Sequence, residues 1–161
     1  MGWRTAARVT VWQSDMTLWS DAVWHTPLKP RPVMNLGRAY ELQGDDAMAE
    51  TLYRKVIWLT FDERRSEYVR KFSQAAAETN LAHLHMKAGR MAQAMKILDM
   101  TISTWPDFPY AQFNRGSILW AYGACEDATK AYAVAQAGDP SLPMPVANCN
   151  PMTRTLPEFV Q

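Results

Sequence analysis

Apolar residues recur at helical spacing in three separate segments of the chain. In the first segment, Ala49, Tyr53 and Val56 are separated by four and then three residues, so they lie on one face of a helix. The same spacing recurs twice downstream. It relates Ala94 to Leu98 and Thr101, and Ala128 to Tyr132 and Ala135. Each row is predicted to form one buried stripe of a helix.

A second helix is predicted before each stripe. Three pairs of residues at a spacing of four mark it: Leu36 and Tyr40, Leu81 and His85, Ile118 and Tyr122. A glycine follows each pair, at positions 44, 89 and 123, and a short polar stretch follows the glycine. This order is the expected end of one helix and start of the next. The pattern therefore predicts three helical hairpins.

The hairpins share a fixed register of small and large residues. Gly37, Gly44, Ala49 and Tyr53 follow one another at intervals of seven, five and four residues. The same intervals return in two further sets: Ala82, Gly89, Ala94 and Leu98, then Gly116, Gly123, Ala128 and Tyr132. We expect the small first residue of each set to let two helices approach closely. The large last residue is expected to fill the space beside it.

These features resemble the tetratricopeptide repeat, a helical hairpin of about 34 residues with Leu-Gly, Tyr, Gly, Ala, aromatic, Ala and Pro positions at set intervals. The third copy starts 34 residues after the second. The resemblance implies an all-α solenoid of helical hairpins, about three and a half repeats long, over residues 14–141. It consists of a half repeat at 14–28 and repeats at about 30–63, 75–108 and 109–141.

The regions outside the regular repeats have separate interpretations. The second copy starts 45 residues after the first, which leaves an insertion near 61–74. This insertion is either a solvated extension of the helices, supported by a Glu67–Lys71 pair, or a docking surface. Ser14 is the expected cap of the half repeat. Residues 1–13 are a lead-in, and the proline-rich tail at 142–161 is expected to be extended.

Charge and hydropathy argue against two classes of partner. Seventeen basic and sixteen acidic side chains leave a formal net charge of +1, without the basic field typical of nucleic-acid or membrane-surface binding. No segment approaches the ~20 apolar residues of a membrane span, and Arg4 and Arg8 interrupt the apolar run of a signal peptide. We expect a cytoplasmic protein with no nucleic-acid partner and no direct membrane insertion.

The cysteines and histidines give no sign of catalysis. Cys125 and Cys149 lack CxxC spacing and are expected to be free thiols, with a bridge between the tail and the third repeat as the alternative in an oxidising compartment. His83 and His85 are two residues apart on a helix and point in different directions. No catalytic or phosphate-binding motif occurs in the sequence. The chain is predicted to have no enzymatic activity, no cofactor and no metal site.

The candidate binding site is the concave groove of the solenoid, which the first helix of each repeat lines. Helical spacing selects the side chains that face it. They are Asn35, Arg38 and Leu42 in the first repeat, Asn80, His83 and Lys87 in the second, and Tyr110, Phe113, Asn114, Ser117 and Trp120 in the third.

The three asparagines of this set each lie two residues before the small residue of their repeat. An amide both donates and accepts hydrogen bonds, so a row of amides can bind the backbone of an extended peptide. The row resembles the asparagine ladder of superhelical tetratricopeptide regions. The alternative is that asparagine is common at this consensus position and partly structural. The carboxylate clamp of chaperone-binding repeats is a poorer match, because Met34, Thr79, Tyr110 and Phe113 occupy much of the equivalent surface.

In the third repeat, Tyr110, Phe113 and Trp120 form an aromatic patch suited to an apolar anchor, with core packing of Trp120 against the neighbouring repeat as the alternative. Together these features predict a noncatalytic scaffold that binds an extended segment of a protein or peptide partner in the groove. The alternative is a structural subunit of a homo-oligomer or larger assembly, held by its tail and its solenoid surfaces.

Overall fold

The computed structural model describes residues 14–145 together with Cys149 and Asn150, and in this part of the chain every regular element is a helix. The predicted all-α helical-repeat fold is confirmed, whereas the lead-in and most of the tail lie outside the described residues. The helices are α1 (Asp15–His25), α2 (Pro30–Leu42), α3 (Asp46–Leu59), α4 (Glu67–Lys87), α5 (Met91–Thr104), α6 (Pro109–Ala121) and α7 (Cys125–Gly138).

The helices belong to two compact units that divide within α4, between Ala77 and Glu78. In the first unit α2 packs against both α1 and α3, and in the second α6 packs against both α5 and α7. The core of the first unit contains Val33 and Leu36 of α2 with Val56 of α3. Trp19 of α1 packs against it, so the half repeat covers one side of the first hairpin.

The helix starts follow local rules. Ser14 caps α1 as expected, because its side-chain oxygen accepts the backbone N–H of Thr17 while the Thr17 hydroxyl accepts the backbone N–H of Ser14. The Asp45 carboxylate accepts the N–H of Met48 at the start of α3. Helices α2 and α6 instead begin with a proline in the first turn, where the missing N–H costs no hydrogen bond.

The first helix of each hairpin ends in the same motif. After α2, Gly44 has a φ of 84° and donates to the Glu41 carbonyl, while Asp45 donates to the Tyr40 carbonyl. This pair of bonds satisfies carbonyls that the helix end leaves without partners, and it requires a left-handed residue that glycine adopts without strain. Gly89 and Gly123 repeat the motif, with φ of 73° and 74°. The predicted helix ends are confirmed.

The predicted close approach of the paired helices is confirmed in two repeats. A Cβ atom built on Gly37 would lie 2.7 Å from Cε1 of Tyr53 and 3.3 Å from Cβ of Leu52. A Cβ atom on Gly116 would lie 3.1 Å from Cδ1 of Tyr132. Tyr53 of α3 therefore lies directly on the backbone of α2, and Tyr132 of α7 lies directly on the backbone of α6. In the second repeat Ala82 and Leu98, which occupy the same register positions, are both fully buried.

The two tyrosines also satisfy their hydroxyl groups inside the hairpins. The Tyr53 hydroxyl donates to Oε2 of Glu41 at 2.7 Å, and the Tyr132 hydroxyl lies 3.2 Å from Oγ of Ser117. Burial first, and then the hydrogen bond to Glu41, raises the pKa of Tyr53 well above its ordinary value. The fold therefore favours the neutral phenol, and this contribution to stability is lost only as the pH rises above the ordinary tyrosine range.

The insertion lengthens a helix, as one of its two interpretations predicted. Helix α4 has 21 residues, whereas the equivalent helices α2 and α6 have 13 each. The Lys71 ammonium lies 2.7 Å from Oε1 of Glu67, so the predicted ion pair is present in the first turns of the extension. The remaining inserted residues form the connection between Leu59 and Glu67.

The expectation of free thiols is wrong, because Cys125 and Cys149 form a disulfide with their Cα atoms 5.7 Å apart. A sequence separation of 24 residues does not by itself indicate that two cysteines lie close together in the fold. The chain leaves α7 at Gly138 and returns to the first turn of the same helix, where Cys125 lies. Sulfur pairing thus holds the start of the tail on the second unit.

We predict that replacing Gly37 by alanine destabilises the protein by about 1–3 kcal/mol, because the new methyl group must displace the buried Tyr53 ring. Helix propensity alone predicts that the alanine stabilises the protein by roughly 1 kcal/mol, because alanine favours a helix more than glycine does. Urea denaturation measures the difference. In a Tyr53→Leu background the same alanine should cost less, and an equal cost in both backgrounds would contradict the close contact.

We predict that the chain prepared without reductant and then unfolded takes up no thiol-alkylating reagent, because both sulfur atoms are paired. Prior reduction should allow two alkyl groups to be added, counted by mass spectrometry. The Cys149→Ser variant is the control and should take up one group without reduction. Full alkylation of the unreduced wild-type chain would show that the thiols are free.

Candidate functional site

An open groove lies within the first unit, between α2 and the first half of α4. We name it the α2–α4 groove, and its volume is about 470 Å³. Its wall from α2 consists of Pro30, Arg31, Met34 and Asn35, and its wall from α4 consists of Tyr68, Val69, Phe72, Ser73 and Ala76.

The extension of α4 supplies the aromatic side of this groove. Tyr68 and Phe72 are four residues apart on one face of the helix, and their rings stack with centroids 6.1 Å apart and planes inclined by 22°. Tyr68 is 67% exposed, Val69 40% and Phe72 45%. An apolar patch of this kind that remains accessible to solvent is typical of an interaction surface.

The opposite wall adds a small number of polar groups. Arg31 provides a guanidinium group and Asn35 an amide, with the apolar Met34 between them in the sequence. Arginine donates several hydrogen bonds in a fixed plane, and asparagine both donates and accepts. The described lining contains no carboxylate, so the groove combines an apolar floor with a single positive charge.

The sequence-predicted residues of the first repeat lie together. Asn35, Arg38 and Leu42 line a smaller depression of about 270 Å³ beside α1, with Asp15 and Trp19 on its other side. These three residues therefore share one depression, and their place in a concave groove stays a prediction. Asn35 lies on the ridge between the two depressions, because it also lines the α2–α4 groove.

In the third repeat, several predicted residues pack within their own hairpin. The rings of Phe113 and Trp120 lie edge-on to Tyr132, with centroids 5.5 Å and 6.1 Å from it. Ser117 receives the Tyr132 hydroxyl and donates to the Phe113 carbonyl. Trp120 thus packs within its own hairpin, whereas the alternative was core packing against the neighbouring repeat, and its side chain stays partly exposed.

Tyr110 is the most accessible aromatic residue of the predicted third-repeat set, at 49% exposure. Its hydroxyl donates to Oδ2 of Asp139 at 2.9 Å. Hydrogen bonds from Ser141, and then the one from Tyr110, hold the pKa of Asp139 below its ordinary value. The Tyr110 ring is therefore oriented by the chain that follows α7.

The remaining predicted residues belong to the second unit. Asn80 and Asn114 are half-buried, whereas His83 and Lys87 are exposed. Asn35 belongs to the first unit. The row of three asparagines therefore stays a prediction.

Sequence reasoning did not assign Tyr68, Val69 and Phe72 to the site. They fall in the insertion, which has no counterpart in the other repeats and so no predicted groove position. A signal was nevertheless present, because two aromatic residues four apart on a helix otherwise rich in charge indicate an exposed aromatic pair.

A separate exposed apolar cluster lies elsewhere in the first unit. Leu28, Trp58 and Phe61 line a depression of about 320 Å³, and the Arg65 guanidinium donates to the Leu28 carbonyl beside it. Phe61 is 73% exposed, more than Phe72, and it lies outside the α2–α4 groove.

Two further properties bear on the chemistry of the described chain. Residues 14–145, 149 and 150 contain no group of three or more side chains placed to hold a metal ion. No helix in this part of the chain is both long and apolar enough to cross a bilayer.

Comparison with protein families gives one match. Residues 34–67 match the model of the tetratricopeptide repeat, a span that begins in α2 and ends at the first residue of α4. The chain matches no curated protein. The family match overlaps most of the first repeat predicted from the sequence, at about 30–63.

We predict that Phe72→Ala changes the free energy of unfolding by less than about 1 kcal/mol, because exposed substitutions away from the core have small effects. Leu98→Ala, at a fully buried position, should cost about 2–5 kcal/mol. Denaturant titration compares the two variants. A loss at Phe72 as large as that at Leu98 would show that the aromatic pair is structural.

Proposed function

We propose that this protein binds an extended segment of a partner protein in the α2–α4 groove. Residues 34–67 match the tetratricopeptide repeat, and such repeats are protein-protein interaction modules. The observation that carries the proposal is the stacked, exposed pair of Tyr68 and Phe72 facing Met34 and Asn35 across an open depression. The role is noncatalytic and needs neither cofactor nor metal.

Apolar contact supplies the affinity in this proposal. Tyr68, Val69 and Phe72 are exposed in the free protein, so covering them removes apolar surface from water at about 25 cal/mol per Å². Large aromatic residues that become buried at an interface account for most of its binding energy. An apolar side chain of the partner is the natural occupant of the floor between Met34 and Phe72.

Polar contact supplies the orientation of the bound segment. Asn35 can donate to and accept from the backbone of the segment, whatever its side chains. We extend this role to Asn80 and Asn114, which occupy the same register position of their repeats. Arg38, Leu42, His83 and Lys87, together with the predicted residues of α6, are proposed as secondary contacts.

A structural-subunit role is the second candidate, and the exposed cluster of Leu28, Trp58 and Phe61 favours it. These side chains are 56%, 64% and 73% exposed, which is unusual for large apolar residues unless another surface covers them. This cluster would then be the contact within an assembly, while the α2–α4 groove stays available to a partner.

We predict that peptides selected from a random phage-displayed library on the full chain bind the α2–α4 groove. Phe72→Ala should weaken their binding about tenfold or more, because it removes an aromatic anchor. Phe61→Ala, a change of the same kind at an exposed site outside the groove, should leave the affinity unchanged. Fluorescence polarisation of a labelled selected peptide measures both.

The amide contact has its own control in the same assay. Asn35→Ala should weaken the selected peptides, whereas Gln43→Ala, which removes an exposed amide at the end of α2, should not. If Phe61→Ala weakens binding and Phe72→Ala does not, the groove assignment is wrong and the cluster of Leu28, Trp58 and Phe61 is the interaction surface.

A further inference from the structure

The exposed apolar cluster of the first unit continues onto the end of α1. Leu28 lines the depression of about 320 Å³ that contains Trp58 and Phe61. Pro27, the residue before Leu28, lines a second depression of about 410 Å³ together with Trp24. Trp24 belongs to the last turn of α1 and is 84% exposed. We name Trp24, Leu28, Trp58 and Phe61 the α1–α3 patch, and all four residues belong to the first unit.

The hydrophobic core of the first unit does not use the rings of this patch. It includes Val56 and Leu59 of α3, but neither Trp58 nor Phe61. Trp58 comes one residue before Leu59, which is about 100° around the helix, so the two side chains lie on different faces. Burial of Leu59 therefore keeps Trp58 outside. An external surface is required to remove the rings of the patch from water.

The patch offers about as much apolar surface as one side of a stable dimer interface. A large aromatic side chain buries about 150–250 Å² when it is covered. Trp24, Trp58 and Phe61 are 64–84% exposed, so together they offer roughly 330–550 Å². A standard interface buries about 800 Å² on each partner, and about 65% of a homodimer interface is apolar, which makes roughly 500 Å². The three rings approach that value before Leu28 is added.

The charges beside the patch favour a second copy of the chain over a partner of one sign. Nε of Arg64 donates to Oδ1 of Asp62 at 2.8 Å, and Nε of Arg65 lies 3.8 Å from Oδ2 of the same carboxylate. The Arg64 side chain is 87% exposed, and Glu63 beside it is exposed as well. A two-fold contact brings each residue of one copy to its complement on the other, so a rim with both signs suits an identical surface.

We propose that the α1–α3 patch is the contact surface between two copies of this chain, and that the contact is two-fold symmetric, patch against patch. The proposal rests on the structural-subunit role, the second candidate function, and it names a second copy as the partner. The described lining of the α2–α4 groove shares no residue with the patch. Each copy in the dimer can therefore still bind a partner segment in its groove.

Light scattering of the full chain at several concentrations tests the dimer. We expect a dimer at about 10 μM, since interfaces of this size have micromolar or lower dissociation constants. Phe61→Lys should weaken self-association about a hundredfold, because the symmetric contact contains this position twice and each ammonium group enters an apolar surface. Trp58→Lys is a second variant with the same expected loss. Urea denaturation verifies that both variants fold.

The control for added charge is Met100→Lys, at an exposed apolar residue of α5, which should dimerise as the wild type does. Equal weakening by Phe61→Lys and Met100→Lys would attribute the loss to net charge and overturn the patch. A wild-type chain that is monomeric at every concentration would overturn the dimer itself.

The symmetry of the contact has its own test. A fluorescein-labelled wild-type chain is titrated with the unlabelled Phe61→Lys chain and, separately, with the unlabelled wild type. In a patch-to-patch contact the intact patch meets an altered one, so the mixed dimer should be about tenfold weaker than the wild-type dimer. If the patch instead binds a different surface, that surface is intact on the variant. A loss of no more than about twofold would therefore overturn the symmetric contact.

The library-selected peptides separate this proposal from the groove function. If they bind the groove and the chain stays monomeric, the dimer is wrong and the groove function stands. If the chain dimerises through the patch and no selected peptide depends on Phe72, the groove function is wrong and the dimer stands. A monomeric chain whose selected peptides depend on Phe61, or which binds phosphatidylserine vesicles through Phe61, would assign the patch to that partner in place of a second copy.

Discussion

The fold depends on how closely the two helices of a hairpin approach each other at the small residue with which each repeat's register begins. At Gly37 and Gly116 a tyrosine ring occupies the volume that a side chain would otherwise fill. This contact aligns the helices of the pair, because a rigid ring on bare backbone tolerates little sliding. The remaining features of the hairpin, including the left-handed glycine at the turn, then follow at fixed distances along the chain.

That dependence explains why the architecture could be predicted from the sequence. Gly37 and Tyr53 contact each other across a short turn, so their spacing in sequence is also their relation in space. The helix ends at Gly44, Gly89 and Gly123 could equally be predicted, since a positive φ at the turn is a local requirement that glycine meets without strain. Local constraints of this kind select the same residue type at the same position of each repeat, so the pattern can be recognised in the sequence.

The candidate site was less predictable because its main features are not repeated. Asn35 could be assigned from its register, but Tyr68 and Phe72 lie in an insertion that no second copy resembles. The packing of Phe113 and Trp120 on Tyr132 was also not predicted, since helical spacing alone does not say whether a half-exposed ring faces a neighbour or solvent. The disulfide was not predicted for a third reason, because the sequence between Gly138 and Cys149 has no periodic signal that would indicate a return to the first turn of α7.

The disulfide also closes a loop. The bond links Cys125, the first residue of α7, to Cys149, and the loop contains the rest of that helix. Closing a loop of this length lowers the conformational entropy of the unfolded chain, which stabilises the folded state by roughly 3 kcal/mol in the chain-entropy model. Reduction of the bond would remove this contribution from the second unit, so the redox potential of the surroundings would set how stable that unit is.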